Sequence, residues 1–237
     1  MRLHDLFETI GLTGHRPSPR EITISTLGGF LGILAILLVS RWWLDAATAI
    51  FIVPSMGASA VLLFAAPNAP FSQPWNVAAG HILSALVGVA CWRWIPELTL
   101  AASAGVGLAI GAMYAARCIH PPGGATALAA VIGSEQLHAL GFGYVLQPIL
   151  LNVAIILLIA VMFNGLFERR RYPARQDIQM PAERAKQQDY PPINDEDFVY
   201  ALSQLDTFID VSEDDLLKIY ALATRRHQQQ APHHADT

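Results

Sequence analysis

Charge is what this sequence most lacks. Only 14% of its 237 residues are charged, whereas soluble domains carry about 25%. Between residues 22 and 167 there are six charged side chains, while residues 168–237 carry 22. This split excludes an ordinary soluble globular domain and indicates an apolar membrane block followed by a water-exposed tail. The net charge of −4 provides no basic surface, so we expect no nucleic-acid partner.

Cysteine and enzyme motifs are also scarce. The two cysteines, Cys91 and Cys118, lie in or beside apolar stretches, without a CxxC pair or a Cys/His cluster. Neither a disulfide framework nor a zinc site is indicated. HExxH, P-loop and GxSxG motifs are missing too, so we expect no enzyme, metal or cofactor. A serine nucleophile beside His81 or His120 stays open, because triads assemble in space, but no spacing supports one.

Long apolar runs are what the sequence has instead. A crossing helix needs about 20 mostly apolar residues. Four segments meet this length, namely Ile22–Leu44, Trp75–Ile95, Leu98–Ala116 and Tyr144–Phe167. The polar segment before them, residues 1–21, does not resemble a cleavable signal peptide. We therefore expect the first membrane helix to direct insertion.

Two further apolar stretches are interrupted. Ala46–Ala66 contains Pro54, and Ile119–Gly133 is short and opens with the run HPPGG. Proline is favoured at the first position of a helix rather than within it. Both stretches are therefore predicted to be loops that become half-length helices.

The two interrupted stretches also resemble each other. The pattern P-x-x-G-A-[ST]-A-[VL] occurs at 54–61 and again at 121–128, offset by 67 residues, and each copy is followed by a Gln-Pro and an Asn-Val pair. We infer an internal duplication with halves 22–95 and 98–167, each made of a helix, a broken half-helix and a helix. The predicted fold is an all-α, polytopic membrane bundle of two related halves, an arrangement typical of transporters.

Arginines flank the apolar block on both sides. Three precede the first helix and four follow the last one within residues 169–175, which predicts that both ends are cytoplasmic. If the broken elements cross the bilayer, there are six crossings and the halves are inverted. If they re-enter, there are four crossings and the halves are parallel. Three elements in each half favour six.

The tail divides into three parts by composition. Residues 168–192 are polar and proline-rich, which predicts a linker. Residues 193–227 carry apolar side chains at helical spacing and a Ser212/Asp215 capping box, which predicts a small cytoplasmic helical hairpin. Residues 228–237 are expected to be disordered.

The starts of the half-helices are candidate anion sites. Backbone N–H groups there have no intrahelical partner, the helix dipole favours negative charge, and the membrane offers no water. The candidate binding residues are Ser55, Gly57, Ala58, Ser59, Pro122, Gly123, Gly124, Ala125 and Thr126. The alternative is that these small residues only allow tight helix packing.

Ionisable and amide side chains complete the candidate site. His81 and His120 lie inside or beside apolar segments, where they would bind the anion or carry a proton with it. The alternative for His81 is a neutral imidazole bonded to a neighbouring helix. Arg117 and Asn76 are secondary candidates, with membrane anchoring and helix joining as their alternatives.

These motifs resemble the HPP family of integral membrane proteins. The resemblance rests on SMGASAVLLF from Ser55, on the segments around Gln73–Asn76 and Gly80-His81, and on HPPGGATAL from His120, and covers residues 20–167. Plastid and cyanobacterial members are associated with nitrite transport. The resemblance thus implies a transporter of a small monovalent anion, with nitrite as the first candidate. Because no plastid transit peptide is recognisable, it points to a bacterial inner membrane.

We therefore expect a transporter or channel that binds a small inorganic anion between two half-helices. We expect the protein to be a homodimer in the lipid bilayer. The regulatory CBS domains that some family members carry are not expected here. The main alternative is a membrane scaffold without transport activity, whose acidic tail recruits a cytoplasmic partner. A membrane-embedded hydrolase is a third option.

Overall fold

This computed structural model describes residues 17–42 and 46–174, and in the second helix it describes side chains from residue 54 onward. The regular structure of these residues is helical. No strand occurs in these two ranges. The helices are α1 (Pro19–Ser40), α2 (Ala46–Ala65), α3 (Pro74–Trp94), α4 (Leu98–Ala115), α5 (Pro122–Ile132), α6 (Glu135–Leu140) and α7 (Leu151–Asn164). A helical segment, Val145–Leu150, leads into α7 and is kinked at Gln147, where the backbone is not helical. 3-10 turns cover Pro70–Ser72 and Glu168–Arg170.

Four helical segments of the described chain are long and apolar enough to cross a bilayer. They are α1, α3, α4 and the kinked stretch Val145–Asn164, with 18 to 22 residues each. At about 1.5 Å per residue these lengths match a hydrocarbon core of about 30 Å. The prediction of an all-α, multi-pass membrane bundle is confirmed.

The first broken element differs from its prediction. We expected a loop ending at Pro54, but α2 is continuous from Ala46 to Ala65 and Pro54 lies inside it. A proline has no N–H for the carbonyl four residues earlier, so Pro54 removes one helical hydrogen bond without ending the helix. Consequently α2 has no N-terminus at Pro54, and the N–H groups around Ser59 belong to the helix interior.

The second broken element follows its prediction. α5 begins at Pro122 and has 11 residues, so it is about 16 Å long, half of the hydrocarbon core. The short helix α6 continues after it, and the Ser134 hydroxyl accepts a hydrogen bond from the Leu137 N–H at its start.

Contacts at both ends show that α1 and α7 run antiparallel. At the end of α1, Ser40 Oγ donates to Asn152 Oδ1 at the start of α7, with a distance of 2.9 Å. Near the start of α1, Glu21 pairs with Arg170, which follows the end of α7. Ser40 and Asn152 are both buried, so this bond lies in the interface between the two helices.

By contrast, α3 and α5 run parallel and in close contact. A Cβ atom at Gly88 would lie 2.5 Å from the Ala127 carbonyl oxygen, and one at Gly80 would lie 2.6 Å from the Cβ of His120. Side chains at these two positions would push α5 away from α3, so the glycines permit the close approach. This approach is what positions the polar side chains described below.

The segment after α7 packs against the end of α2. Arg170 is buried and its guanidinium donates to the Phe64 carbonyl oxygen, a group that the C-terminus of α2 leaves without a helical partner. The Tyr172 hydroxyl donates to the Ser72 carbonyl oxygen over 2.7 Å. Residues 168–174 of the predicted linker are thus folded onto the membrane block. The predicted hairpin and tail, 193–227 and 228–237, lie outside the described residues.

Candidate functional site

Two histidines meet inside the membrane block. His81 lies in the first half of α3, and His120 precedes α5 by two residues. Both have no exposed surface, and their ring centroids are 4.8 Å apart with the planes inclined at 65°. Ionisable side chains buried within membrane segments are costly and mark functional positions.

Ser59 of α2 joins the two imidazoles. Its Oγ lies 2.8 Å from His81 Nε2 and 2.8 Å from His120 Nε2. The same Oγ is 3.1 Å from the carbonyl oxygen of Ser55, one helical turn earlier. One fully buried hydroxyl therefore connects α2, α3 and the connection before α5.

Thr126 of α5 contacts the other nitrogen of His81. Its Oγ1 lies 2.7 Å from His81 Nδ1 and 3.4 Å from the carbonyl oxygen of Pro122. Thr126 occupies the same position in the second motif copy as Ser59 in the first. Equivalent hydroxyls of the two copies thus meet on one imidazole, and each also lies near the carbonyl four residues earlier in its own helix.

The proton positions follow from the partners when both imidazoles are neutral. The Phe71 carbonyl oxygen, 2.8 Å from His120 Nδ1, can only accept, so His120 carries its proton on Nδ1 and accepts from Ser59 at Nε2. Ser59 has one proton, so it must accept from His81 Nε2–H. His81 then accepts at Nδ1 from the Thr126 hydroxyl. The two imidazoles have opposite tautomers.

Contacts with α3 fix the connection that carries His120. Asn76 Nδ2 donates to the Ile119 carbonyl oxygen over 2.9 Å, and Trp75 Nε1 donates to the Ala116 carbonyl oxygen over 3.3 Å. Asn76, a secondary site candidate, therefore holds the backbone next to His120 and does not contact the imidazoles through a hydrogen bond described here. This is the joining role that the sequence left open for it.

The N–H groups at the start of α5 were predicted to have no partner, but they donate hydrogen bonds to nearby carbonyl oxygens. The Gly123 N–H donates to the His120 carbonyl oxygen over 2.8 Å, and the Gly124 N–H donates to that of Pro121 over 3.1 Å. Prolines 121 and 122 have no N–H to offer. The prediction that these glycines present unpaired donors to an anion is therefore wrong for this structure, and the polar groups of the site are side chains.

The remaining predicted residues divide by burial. Ser55, Pro122 and Gly123 are buried, and the carbonyl oxygens of Ser55 and Pro122 lie 3.1 and 3.4 Å from the Ser59 and Thr126 hydroxyls. Ala58, Ala125 and Arg117 are exposed, and Gly57 and Gly124 are half-buried. Their exposure distinguishes these last five residues from the fully buried imidazoles.

The alternative interpretation, that the motif glycines only permit close helix packing, agrees with the contacts of Gly123 and disagrees with those of Gly57 and Gly124. A Cβ at Gly123 would lie 2.6 Å from Ser84 Oγ and 3.1 Å from the Gly80 carbonyl oxygen, so this glycine is needed for close packing. Around Gly57 nothing lies within 4 Å of an added Cβ, and around Gly124 the nearest atom is 3.9 Å away, on Val106.

Two groups of the site escaped the sequence reasoning. The Phe71 carbonyl is a backbone group in the 3-10 turn Pro70–Ser72, and no residue pattern reveals its role. Tyr144 donates its hydroxyl to the Thr126 carbonyl oxygen over 3.3 Å. Its position at the start of the last apolar run was the only available signal, and that signal did not distinguish it from a membrane-interface anchor.

Among the described residues, no negatively charged side chain belongs to this network. The buried polar side chains there include His81 and His120, and Arg170 is the one buried side chain among Lys, Arg, Asp and Glu. No group of three His, Cys, Asp or Glu residues in this part could hold a metal ion. Within residues 17–42 and 46–174, the buried side-chain nitrogen and oxygen atoms that are described all have hydrogen-bond partners.

The fold and this network define a multi-pass α-helical membrane protein with a buried polar centre. The family model of the HPP transmembrane region matches residues 14–173. The chain belongs to the HPP transmembrane family, and the resemblance drawn from its motifs is confirmed.

Similar proteins carry the same region within longer chains. Two transmembrane proteins of Dictyostelium discoideum are each 40% identical to this chain over 162 residues. The matches cover 67% and 66% of this chain but 52% and 56% of those proteins. The chain therefore spans about half the length of the curated relatives it matches. No solved structure matches it.

Proposed function

We propose that the protein transports a small monovalent anion across the membrane, with nitrite as the first candidate. The observation that carries this proposal is the buried cluster of two imidazoles and two hydroxyls, to which both motif copies contribute. Bilayer proteins bury polar groups of this kind along substrate pathways. The nitrite assignment rests on the family resemblance, and the cluster supplies the donors that such an anion needs.

The binding residues in this proposal are Ser59, Thr126, His81 and His120. Anion oxygens accept hydrogen bonds, and the hydroxyl and imidazole N–H groups are donors that can be redirected by small rotations. Because the four side chains bond to one another in this structure, an anion must replace at least one of their contacts. The donors are side chains on three helices and on the connection before α5, so relative motion of these elements changes the site directly.

Alternating access is the proposed mode of transport. α1 is antiparallel to α7 and α3 is parallel to α5, a pattern consistent with six crossings in which successive elements alternate. On this view the two motif-bearing halves are inverted and rock about the cluster. We place both termini in the cytoplasm and the protein in the inner membrane, as a homodimer.

A Ser–His pair also raises the question of hydrolysis. The Ser59 Oγ to imidazole distances of 2.8 Å are those of a nucleophile and its base. Acyl transfer further needs backbone donors beside the nucleophile to hold an oxyanion. Ser59 lies inside α2, where neighbouring N–H groups are committed to the helix. This favours a binding role over a catalytic one.

Uptake into proteoliposomes tests the proposal. We expect saturable nitrite uptake by the purified protein, with nitrate, formate and chloride as competitors. The Ser59→Ala/Thr126→Ala variant should lose at least about tenfold, because each lost donor costs about 1–3 kcal/mol. Ser40→Ala is the matched control, since it also removes a buried inter-helix hydroxyl, the one bonded to Asn152.

The outcomes separate the candidate functions. Loss of uptake in the double variant but not in Ser40→Ala supports the proposed site. Folded wild-type protein that moves none of these anions contradicts the transport proposal and favours the scaffold. Turnover of an added ester by the wild type would instead favour the hydrolase.

A further inference from the structure

We propose that the buried cluster takes up one proton together with each anion, so that transport is an electroneutral symport of anion and proton. This rests on the proposed function, because it concerns the same cluster. It identifies the coupling ion, which the sequence left open between affinity tuning by the histidines and proton carriage.

The first support is that the cluster can accept a proton without losing a hydrogen bond. If His81 gains a proton on Nδ1, its new N–H points at Thr126 Oγ1, 2.7 Å away. The Thr126 hydroxyl is then free to turn to the Pro122 carbonyl oxygen at 3.4 Å. The extra proton is thus accommodated by the rotation of one hydroxyl.

The same device exists in the first motif copy. If His120 gains a proton on Nε2, that N–H points at Ser59 Oγ, 2.8 Å away. The Ser59 hydroxyl then turns to the Ser55 carbonyl oxygen at 3.1 Å, while its oxygen still accepts from His81. In both copies the alternative acceptor is the carbonyl four residues earlier, so the duplication supplies one rotating hydroxyl for each imidazole.

The second support is the absence of a compensating charge on the described groups that surround the imidazoles. α2 contributes Ser55 and Ser59, and α5 contributes Thr126. The connection before α5 contributes His120. The Tyr144 hydroxyl before α7 donates to the Thr126 carbonyl oxygen, and Cys118 and the Met113 sulfur of α4 lie near Gly80, where the Cβ of His120 also approaches. None of these is a carboxylate, and the described buried side chains include none elsewhere.

An imidazolium in this place therefore needs an anion from outside the chain. Burying an uncompensated charge is expensive, whereas a charge paired with an opposite one is tolerated. Anion binding stabilises the protonated cluster, and by reciprocity the proton stabilises the bound anion. A second proton is opposed by repulsion across the 4.8 Å between the rings, which sets the ratio at one proton for each anion.

The cycle is balanced without any change in the anion. A proton from one side binds an imidazole nitrogen lone pair, the anion pairs with the resulting cation, and both leave on the other side. The net charge moved is zero, and no bond within the anion forms or breaks.

The wild-type protein in liposomes provides the direct test, with nitrite as the probe and a pH dye inside the vesicles. An inward gradient of one pH unit should drive about tenfold nitrite accumulation, because one unit is worth about 1.4 kcal/mol. Potassium gradients with valinomycin should leave this accumulation unchanged. Flux into protein-free vesicles, which includes permeation of the neutral acid, is subtracted.

Each outcome of this test decides the proposal. Protein-dependent entry of protons with nitrite, insensitive to potential, supports it. Nitrite uptake driven by an inside-positive potential without proton entry overturns the symport while leaving anion transport intact. Absence of nitrite uptake overturns both the symport and the proposed function.

Side-chain variants add a second readout. Thr126→Ser keeps a hydroxyl and should retain the pH-driven uptake, whereas Thr126→Val keeps the shape without the hydroxyl and should lose it about tenfold. Equal behaviour of these two variants, with both proteins folded, would contradict the role of the rotating hydroxyl.

Discussion

The two copies of the P-x-x-G-A-[ST]-A-[VL] motif differ in their backbone structure. In the first copy Pro54 lies within the continuous helix α2, whereas in the second Pro122 is the first residue of α5. Even so, Ser59 and Thr126 reach the two nitrogens of the same imidazole. The motif therefore conveys where a hydroxyl is placed, and the surrounding chain decides whether a helix begins there.

The copies also differ in what they contact. Ser59 touches both imidazoles, while Thr126 touches only His81. His120, which the second copy carries, has valine at the corresponding place in the first copy, Val53. Only the second motif copy is therefore preceded by an imidazole, which makes the site asymmetric.

The largest expected effect separates Gly123, which lies one residue before the motif glycine of the second copy, from Gly57, the motif glycine of the first copy. Gly123→Ala places a Cβ 2.6 Å from Ser84 Oγ and 3.1 Å from a backbone oxygen of α3, and should destabilise the protein by about 1–3 kcal/mol through overpacking. Gly57→Ala meets open space within a helix and should be neutral or stabilising by up to about 1 kcal/mol. Thermal unfolding in detergent measures both. Equal melting temperatures for the two variants would contradict the packing described here.

The next effect compares the two imidazoles. His81→Gln removes the group that both hydroxyls contact and should reduce nitrite uptake by at least about tenfold. His120→Gln leaves the Ser59–His81–Thr126 chain in place and should reduce uptake less. Initial rates in proteoliposomes, normalised to folded protein, provide the comparison. A greater loss in His120→Gln would reverse the assigned order.

A smaller difference is expected between the two hydroxyls. Ser59→Ala removes contacts to two imidazoles and Thr126→Val to one, so the loss of uptake should be about threefold greater for Ser59, given about 0.5–1.5 kcal/mol for each hydrogen bond. Ser84→Ala is a suitable control on α3, because its hydroxyl contacts the Met113 sulfur and not the imidazoles. The comparison fails if Thr126→Val is the more damaging variant.

The smallest effect concerns the loop that orients His120. Tyr172 donates to the carbonyl oxygen of Ser72, the residue after Phe71. Tyr172→Phe should cost about 1 kcal/mol of stability and change uptake by less than about twofold. Melting temperature and uptake rate are measured together. A loss of uptake as large as that of His81→Gln would show that this loop controls the site.

Residue patterns predicted the fold class, and they named the four side chains of the buried cluster within a larger set of candidates, most of which lie outside it. The length and apolarity of four segments predicted the spanning helices, and the motif offset predicted that Ser59 and Thr126 are equivalent. The continuation of α2 through Pro54 was not predictable from the sequence, because membrane helices tolerate an internal proline when local adjustments satisfy the freed backbone groups.

The geometry of the site was less predictable from the sequence than the residues that form it. Sequence reasoning favoured backbone donors at helix starts, yet Gly123 and Gly124 bond to nearby carbonyls. The spacing of His81 and His120 along the chain does not show that their rings lie 4.8 Å apart. That proximity depends on the close approach of α5 to α3 at Gly80 and Gly88, a tertiary property.

The most direct measurement is ¹⁵N NMR of the histidines of the protein in bilayers, with and without nitrite. His81→Gln and His120→Gln assign their signals among the eight histidines. Without nitrite we expect two neutral rings of opposite tautomer, His81 protonated at Nε2 and His120 at Nδ1. Nitrite at the same pH should convert one ring to imidazolium. Identical tautomers, or rings whose protonation nitrite leaves unchanged, would contradict the proposed coupling of anion and proton.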